Sequence, residues 1–387
     1  MNKRVYFLMT VSFVVGMVEL IIGGILDLIA EDLNVSLGSA GMLITIFSLT
    51  FAIAAPILLV LTAKVERKRL ALISLTVFLF GNILALISPS YSILFIGRII
   101  SAVSSSILII LCVVLAANIV EPKYRGRAIG IVSMGVSASL VLGVPIGLSL
   151  GNLFGWRAPF LMIVILTVIS MVGVYFFMER VAPRPVSTIK EQFLSLKDQK
   201  VFFAHLTIFL MLTGHAVLYA YLTPFVQVTM GLEENSISIV YLLFGLAAVS
   251  GGAFGGTLGD KFGNTRVILL FITIYAAMLF AISHTTSIMP LFIVVLALWG
   301  LMSWSVTPPM QSYLIDSAPE TADMQISISN SALHFGIAFG SFIGGISIDR
   351  VGVEINPYIG GLFVVVAFLT MLLSNRQKEK NKELVTN

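Results

Sequence analysis

Between Ser92 and Ile119 the chain reads SILFIGRIISAVSSSILIILCVVLAANI. A single charge, Arg98, interrupts an apolar run long enough to cross a bilayer, which takes about 20 helical residues. A barrel strand would alternate polar and apolar residues over about ten positions, and this stretch does not. Moving outward, similar runs place expected spans at 5–29, 37–61, 70–88, 92–119, 128–150, 157–178, 202–223, 236–258, 267–283, 288–313, 324–347 and 357–374. Of the 387 residues, 58% are hydrophobic and 11% charged, against about 25% charged in a soluble domain. Too little charge exists to cover a water-facing globule. The expected fold is an all-α membrane protein of twelve transmembrane helices.

The distribution of cations sets the orientation. Of the 23 Lys and Arg residues, 20 fall on one side: at the N-terminus, after even-numbered spans and in the C-terminal tail. Arg157 and Arg350 lie on the other side, and Arg98 lies within a span. The positive-inside rule then makes both termini cytoplasmic. The net charge of +4 thus records membrane orientation, and no nucleic-acid partner is expected. The first thirty residues continue as one long helix with no small-residue cleavage site, so no signal peptide is expected. Cys112 is the sole cysteine, which leaves no disulfide framework within one chain.

The longest polar stretch divides the chain into a six-helix bundle at 1–179, a cytoplasmic linker at 180–200 and a second six-helix bundle with a short tail at 201–387. Residues from Ser187 to Phe203 have the pattern of a surface amphipathic helix. The halves also repeat. An offset of 197 carries Lys64 onto Lys261, Arg69 onto Arg266, Pro122 onto Pro319, Gly143 onto Gly340 and Gly147 onto Gly344. Repeated bundles of this kind are a transporter design, with the substrate site at the repeat interface.

Several motifs carry a resemblance. The loop after span 8 reads Gly256-Thr-Leu-Gly-Asp260-Lys261-Phe-Gly263, span 4 holds Arg98, span 5 holds Gly143-Val-Pro145-Ile-Gly147, and Gly155-Trp156-Arg157 opens span 6. Together these resemble the major facilitator superfamily, specifically its twelve-span drug/proton antiporter branch. The Val18-to-Leu26 segment and Ser303-Trp304-Ser305 are most similar to bacterial purine base and nucleoside efflux pumps. Sugar and drug exporters share much of the pattern. The first-half signature loop departs from the family, with Ala63 in place of Asp and Glu66 in place of Gly. The resemblance implies a multi-pass protein of the bacterial cytoplasmic membrane that exports a small organic solute in exchange for protons. Gly143, Pro145, Gly147, Gly256, Asp260 and Gly263 then belong to the conformational motifs, with Gly256 and Gly263 letting helix ends approach closely. A monomer is expected.

Ionisable residues inside spans are functional by default. Glu19 lies deep in span 1, where it could carry a proton, remain neutral, or form a permanent lock with Arg98. Arg98 stays charged and could tune Glu19 or cap carbonyls. Asp27, eight residues beyond Glu19 and about 80° round a continuous helix, is a second candidate for proton coupling or an interfacial group. His215 and His334 could contact substrate, relay protons or pack between helices. Trp304, Gln311 and Asn330 offer a stacking face and amide partners suited to a flat heterocycle. No metal-ligand spacing and no Gly-Lys of a phosphate-cradling loop occurs, so no metal or cofactor is expected. A proton-driven secondary transporter is favoured over an enzyme, a sensor or a passive channel.

Overall fold

The structure is a computed structural model that describes residues 3–121, 124–182, 191 and 195–386. Pro122, Lys123, Arg184, Lys190 and the rest of residues 187–190 and 192–194 of the expected amphipathic segment lie outside the described residues.

Among the described residues, twelve helices are long and apolar enough to cross a membrane. In chain order they are spans 1 (Lys3–Gly24), 2 (Leu37–Leu61), 3 (Arg67–Leu86), 4 (Tyr91–Ile119), 5 (Arg127–Phe154) and 6 (Ala158–Phe177). Spans 7 (Gln199–Tyr219), 8 (Ser236–Phe262), 9 (Asn264–Thr285), 10 (Met289–Ser317), 11 (Met324–Arg350) and 12 (Val353–Gln377) follow. No strand occurs among the described residues. Helices predominate because within a bilayer each backbone N–H and C=O must be satisfied inside its own segment.

Span 10 is interrupted at Val306, and two more expected spans run through a break. Span 1 stops at Gly24, and Leu26–Asp32 forms a separate short helix after Ile25. Span 7 stops at Tyr219, and Leu222–Met230 is again separate. The apolar pattern crosses both breaks, so hydropathy alone extends the spans to 29 and 223. Gly23-Gly24 weakens the first helix. Pro224 lacks an N–H, and its ring opposes the Ala220 carbonyl.

The chain forms two compact units, Met1–Val186 with Glu233–Leu242, and Ser187–Leu232 with Leu243–Asn387. In the first, span 1 packs on spans 4, 5 and 6, span 4 on spans 2 and 3, and span 3 on span 6. In the second, span 7 packs on spans 11 and 12, and span 9 on spans 10 and 12. The pairings 1–5, 1–6, 3–4 and 3–6 recur as 7–11, 7–12, 9–10 and 9–12. The sequence repeat is therefore also a repeat of packing.

Glycine supplies the closest helix contacts. A Cβ on Gly147 would land on the Ile21 side chain, and one on its repeat mate Gly344 would lie 2.7 Å from the Val217 carbonyl. These repeat-related glycines let span 5 approach span 1 and span 11 approach span 7, as small residues do between membrane helices.

Candidate functional site

In the first unit the deepest charge is Arg98, only 1% exposed. Its Nη1 donates to the Val18 carbonyl at 2.6 Å, and its Nε to the Leu43 carbonyl at 3.3 Å. The guanidinium carbon lies 4.2 Å from the centre of the Phe47 ring. One side chain of span 4 thus ties spans 1 and 2 together. Glu19 follows Val18 directly, is half-buried, and interacts electrostatically with Arg98. The hydrogen bonds described for Arg98 go to main-chain carbonyls, so its link to Glu19 acts through space. Asp27 stands beyond the helix break, in the first turn of Leu26–Asp32. The break replaces the angular relation to Glu19 that a continuous helix would give.

In the second unit His215 is surrounded by rings. Tyr219 stacks on it with centroids 4.9 Å apart; Trp304, Trp299 and Phe244 follow at 5.3, 5.4 and 5.9 Å. His215, Tyr219, Phe244 and Trp299 are buried, while Trp304 is half-buried. The cluster draws its members from spans 7, 8 and 10. Pro308 and Pro309 interrupt span 10 after Ser305, so the helix resumes at Thr307. Two expected residues, His215 and Trp304, are brought into contact here. Phe244 joins them without any sequence signal that sets it apart from the other 26 phenylalanines.

The remaining candidates are more dispersed. His334 is buried on span 11, Asn330 is exposed on the same span, and Gln311 is half-buried on span 10. Tyr241 donates to the Gly23 carbonyl at 3.0 Å within the first unit. His205 makes a buried contact with Gln325 Oε1 at 2.9 Å, joining span 7 to span 11. Among the described residues, no three His, Cys, Asp or Glu side chains are grouped to hold a metal ion.

The motif residues show how the helices meet. In span 5, Ser139–Gly143 forms a π-helical turn, with Val144 N–H reaching back to the Ser139 carbonyl. This wider turn relieves the clash that the Pro145 ring would make with the carbonyl four residues earlier. A Cβ at Gly143 would lie 3.2 Å from Met17. In the loop after span 8, Gly263 has φ +88°, a conformation suited to glycine. The close approach expected at Gly256 falls instead on Gly255 and Gly259, against Ser305 and Pro309; a Cβ at Gly256 would make only ordinary contact with Pro308. Asp260 is exposed at the end of span 8.

At the first-half counterpart of Gly263, Glu66 caps span 3 by accepting from Lys68 N at 2.7 Å and Arg69 N at 2.9 Å. It also accepts from Val181 N at 2.8 Å. Burial opposes ionisation here, but these three N–H groups and the Arg180 charge together hold the carboxyl below its ordinary range. Near the start of span 6, Asp32 accepts from Trp156 Nε1 at 2.8 Å and Arg157 Nη1 at 2.9 Å. Arg157 Nη2 also donates to the Ser88 carbonyl at 2.8 Å. The bonds from Trp156 and Arg157 lower the Asp32 pKa.

Twelve spans, two units packed by one repeated scheme and a charge held inside the first define a polytopic membrane transporter. The chain belongs to the Major Facilitator Superfamily, whose sequence model matches residues 8–341 and 235–386. It is 34% identical to the uncharacterized MFS-type transporter YbcL of Bacillus subtilis (strain 168) over 98% of both chains. A probable sugar efflux transporter of Helicobacter pylori (strain J99) is 24% identical, with 94% of this chain and 93% of that one covered. The fold is similar to that of a bacterial homologue of the human lysosomal transporter Spinster, with a TM-score of 0.80, 16% identity and 98% of each chain covered.

Proposed function

We propose that this transporter is a secondary exporter of the bacterial cytoplasmic membrane, with both termini cytoplasmic, exchanging a small organic solute for protons by alternating access. The halves at 1–179 and 201–387 are the moving bodies, joined by the linker at 180–200, and one copy suffices. Glu19 carries the proton and Arg98 tunes it, with Asp27 as a second acidic group. The observation that carries this reading is the buried Arg98 charge held beside Glu19 by the Val18 and Leu43 carbonyls. A carboxylate near a fixed cation favours its charged form, and loses that preference when the two are drawn apart.

On the substrate side, His215, Trp304, Gln311, Asn330 and His334 form the contact set, and purine bases, nucleosides or their analogues are the preferred class. Flat rings that also accept and donate hydrogen bonds match stacking faces combined with imidazole and amide groups. Gly143, Pro145, Gly147, Gly256, Asp260 and Gly263 serve the conformational change. Sugar efflux is the second reading, favoured by the name of the Helicobacter pylori relative.

Proteoliposomes with an imposed pH gradient, screened with labelled purines, nucleosides, sugars and cationic dyes, test both parts. Gradient-driven purine movement that Glu19→Gln abolishes is the expected result. Transport indifferent to the pH gradient would overturn the coupling; sugar movement alone would replace the substrate class.

A further inference from the structure

Arg98 presents a physical problem that the proposed coupling leaves open. A guanidinium removed from water needs compensation worth several kcal/mol. If Glu19 supplied all of it, the two would lock together and the carboxylate could not exchange protons. The structure offers other partners. Val18 and Leu43 give two carbonyl dipoles, and Phe47 places its ring face 4.2 Å from the guanidinium carbon. Phe47 itself is 0% exposed, so the ring acts on the cation without water between them. Cation–π attraction is strongest under such desolvation. One nitrogen, Nη2, is buried with no hydrogen-bond partner, so the cation retains donor capacity while resting on the ring.

We propose that Phe47 is a positioning residue for proton coupling: its ring and the Val18 and Leu43 carbonyls form a resting place for Arg98 that keeps the guanidinium from locking onto Glu19. This rests on the coupling role of Glu19 given above. Phe47 neither touches substrate nor exchanges a proton. It acts by sharing the compensation of a charge that would otherwise fall to the carboxylate.

Other charged groups do not compete for this position. Span 2, which carries Leu43 and Phe47, has no charged residue. Apart from Glu19, the charges on the helices packed against span 4 are Lys3 and Arg4 on span 1, Arg67, Lys68 and Arg69 on span 3, and Arg125 and Arg127 on the helix of span 5. All seven lie in opening turns of odd-numbered helices, which run opposite to span 4. On span 4 itself the titratable groups are Tyr91, whose hydroxyl donates to the Ser39 carbonyl at 2.6 Å, and Cys112, buried about four helical turns beyond Arg98. Tyr6 of span 1 is exposed, and Asp27 lies past the break that ends span 1.

The test replaces Phe47 by mono-, di- and trifluorinated phenylalanine, which preserves ring shape and progressively weakens the negative π face, in full-length protein reconstituted into liposomes. Phe47→Leu removes the ring, and Phe47→Trp strengthens the face. With the ring weakened, Arg98 turns to the Glu19 carboxylate, and the opposite charge favours the ionised form. The half-maximal pH of gradient-driven transport should then fall stepwise along the fluorinated series, reaching about one pH unit, or tenfold in proton concentration. Phe47→Trp should retain the parent profile. A profile unmoved across the fluorinated series overturns the proposal, as does a fall in rate with an unchanged midpoint, which marks a packing role. Parent protein that transports without regard to the pH gradient would instead overturn the coupling reading on which this inference rests.

Discussion

The Glu66 carboxylate accepts the Val181 backbone N–H at 2.8 Å across 115 residues of sequence. It fixes the chain leaving span 6 to the turn that starts span 3, while capping span 3 with its remaining capacity. Arg67 N–H returns the contact by donating to the Val181 carbonyl at 3.0 Å. Glu66, standing where the signature loop has Gly, therefore has a structural purpose as both cap and latch.

Glu66→Ala should lower the stability of the purified protein by about 1 kcal/mol, the usual value of a lost helix cap. The folded pKa of Glu66 is depressed, so its contribution is present above the unfolded value near 4.3 and is lost as pH falls through the folded value. Thermal unfolding at neutral pH should separate the parent from the variant, and the gap should narrow in acid as pH falls through the depressed Glu66 value. Glu66→Gln, which keeps an acceptor oxygen, should fall between them.

The Asp32–Arg157 pair should behave differently, because its side chains are 48% and 37% exposed. Solvent screening limits such a pair to about 1 kcal/mol or less, so Asp32→Asn should leave global stability nearly unchanged. Its effect should be local: faster hydrogen exchange around Ser88 and Trp156, the groups held through Arg157 and Asp32. In the parent this protection holds above the ordinary carboxylate range and fades as pH falls through the depressed Asp32 value.

Gly147→Val should destabilise the first unit by about 1–3 kcal/mol through overpacking against Ile21. Gly130→Ala is the control, since nothing lies within 4 Å of a Cβ built there and alanine favours helix by about 1 kcal/mol over glycine. Thermal unfolding in detergent should move in opposite directions for the two. Equal behaviour would remove the close approach of spans 1 and 5 from the explanation.

His215→Phe retains an aromatic ring among Tyr219, Phe244, Trp299 and Trp304 but loses both ring nitrogens. On the proposed function its unfolding temperature should stay close to the parent's while purine binding weakens about tenfold, the equivalent of one hydrogen bond of about 1.4 kcal/mol. His215→Ala should lose both binding and stability. Unchanged purine binding in His215→Phe would reduce this histidine to a packing role.

Hydropathy made the twelve spans legible because every lipid-crossing helix must be apolar over a fixed length. It did not register the breaks after Gly24 and Tyr219, since the side chains remain apolar where the backbone changes direction. Gly23-Gly24 and Pro224 were the available signals. Arg98 was legible as a lone buried charge, whereas its partner Phe47 was not, because a phenyl ring in an apolar span looks the same whether it faces lipid or a cation. Glu66 carried a usable signal: a carboxylate just before a helix is an N-cap pattern, although against the family motif it reads as a missing glycine.

The π-helical turn at Ser139–Gly143 also sets the angular phase of everything after it in span 5. Winding the same residues at the ordinary α pitch would carry Gly147 about 100° round the helix. A bulkier neighbour would then face Ile21, and a helix of unchanged composition would have no matching groove. For this span, residue number within one turn governs assembly as strongly as residue type.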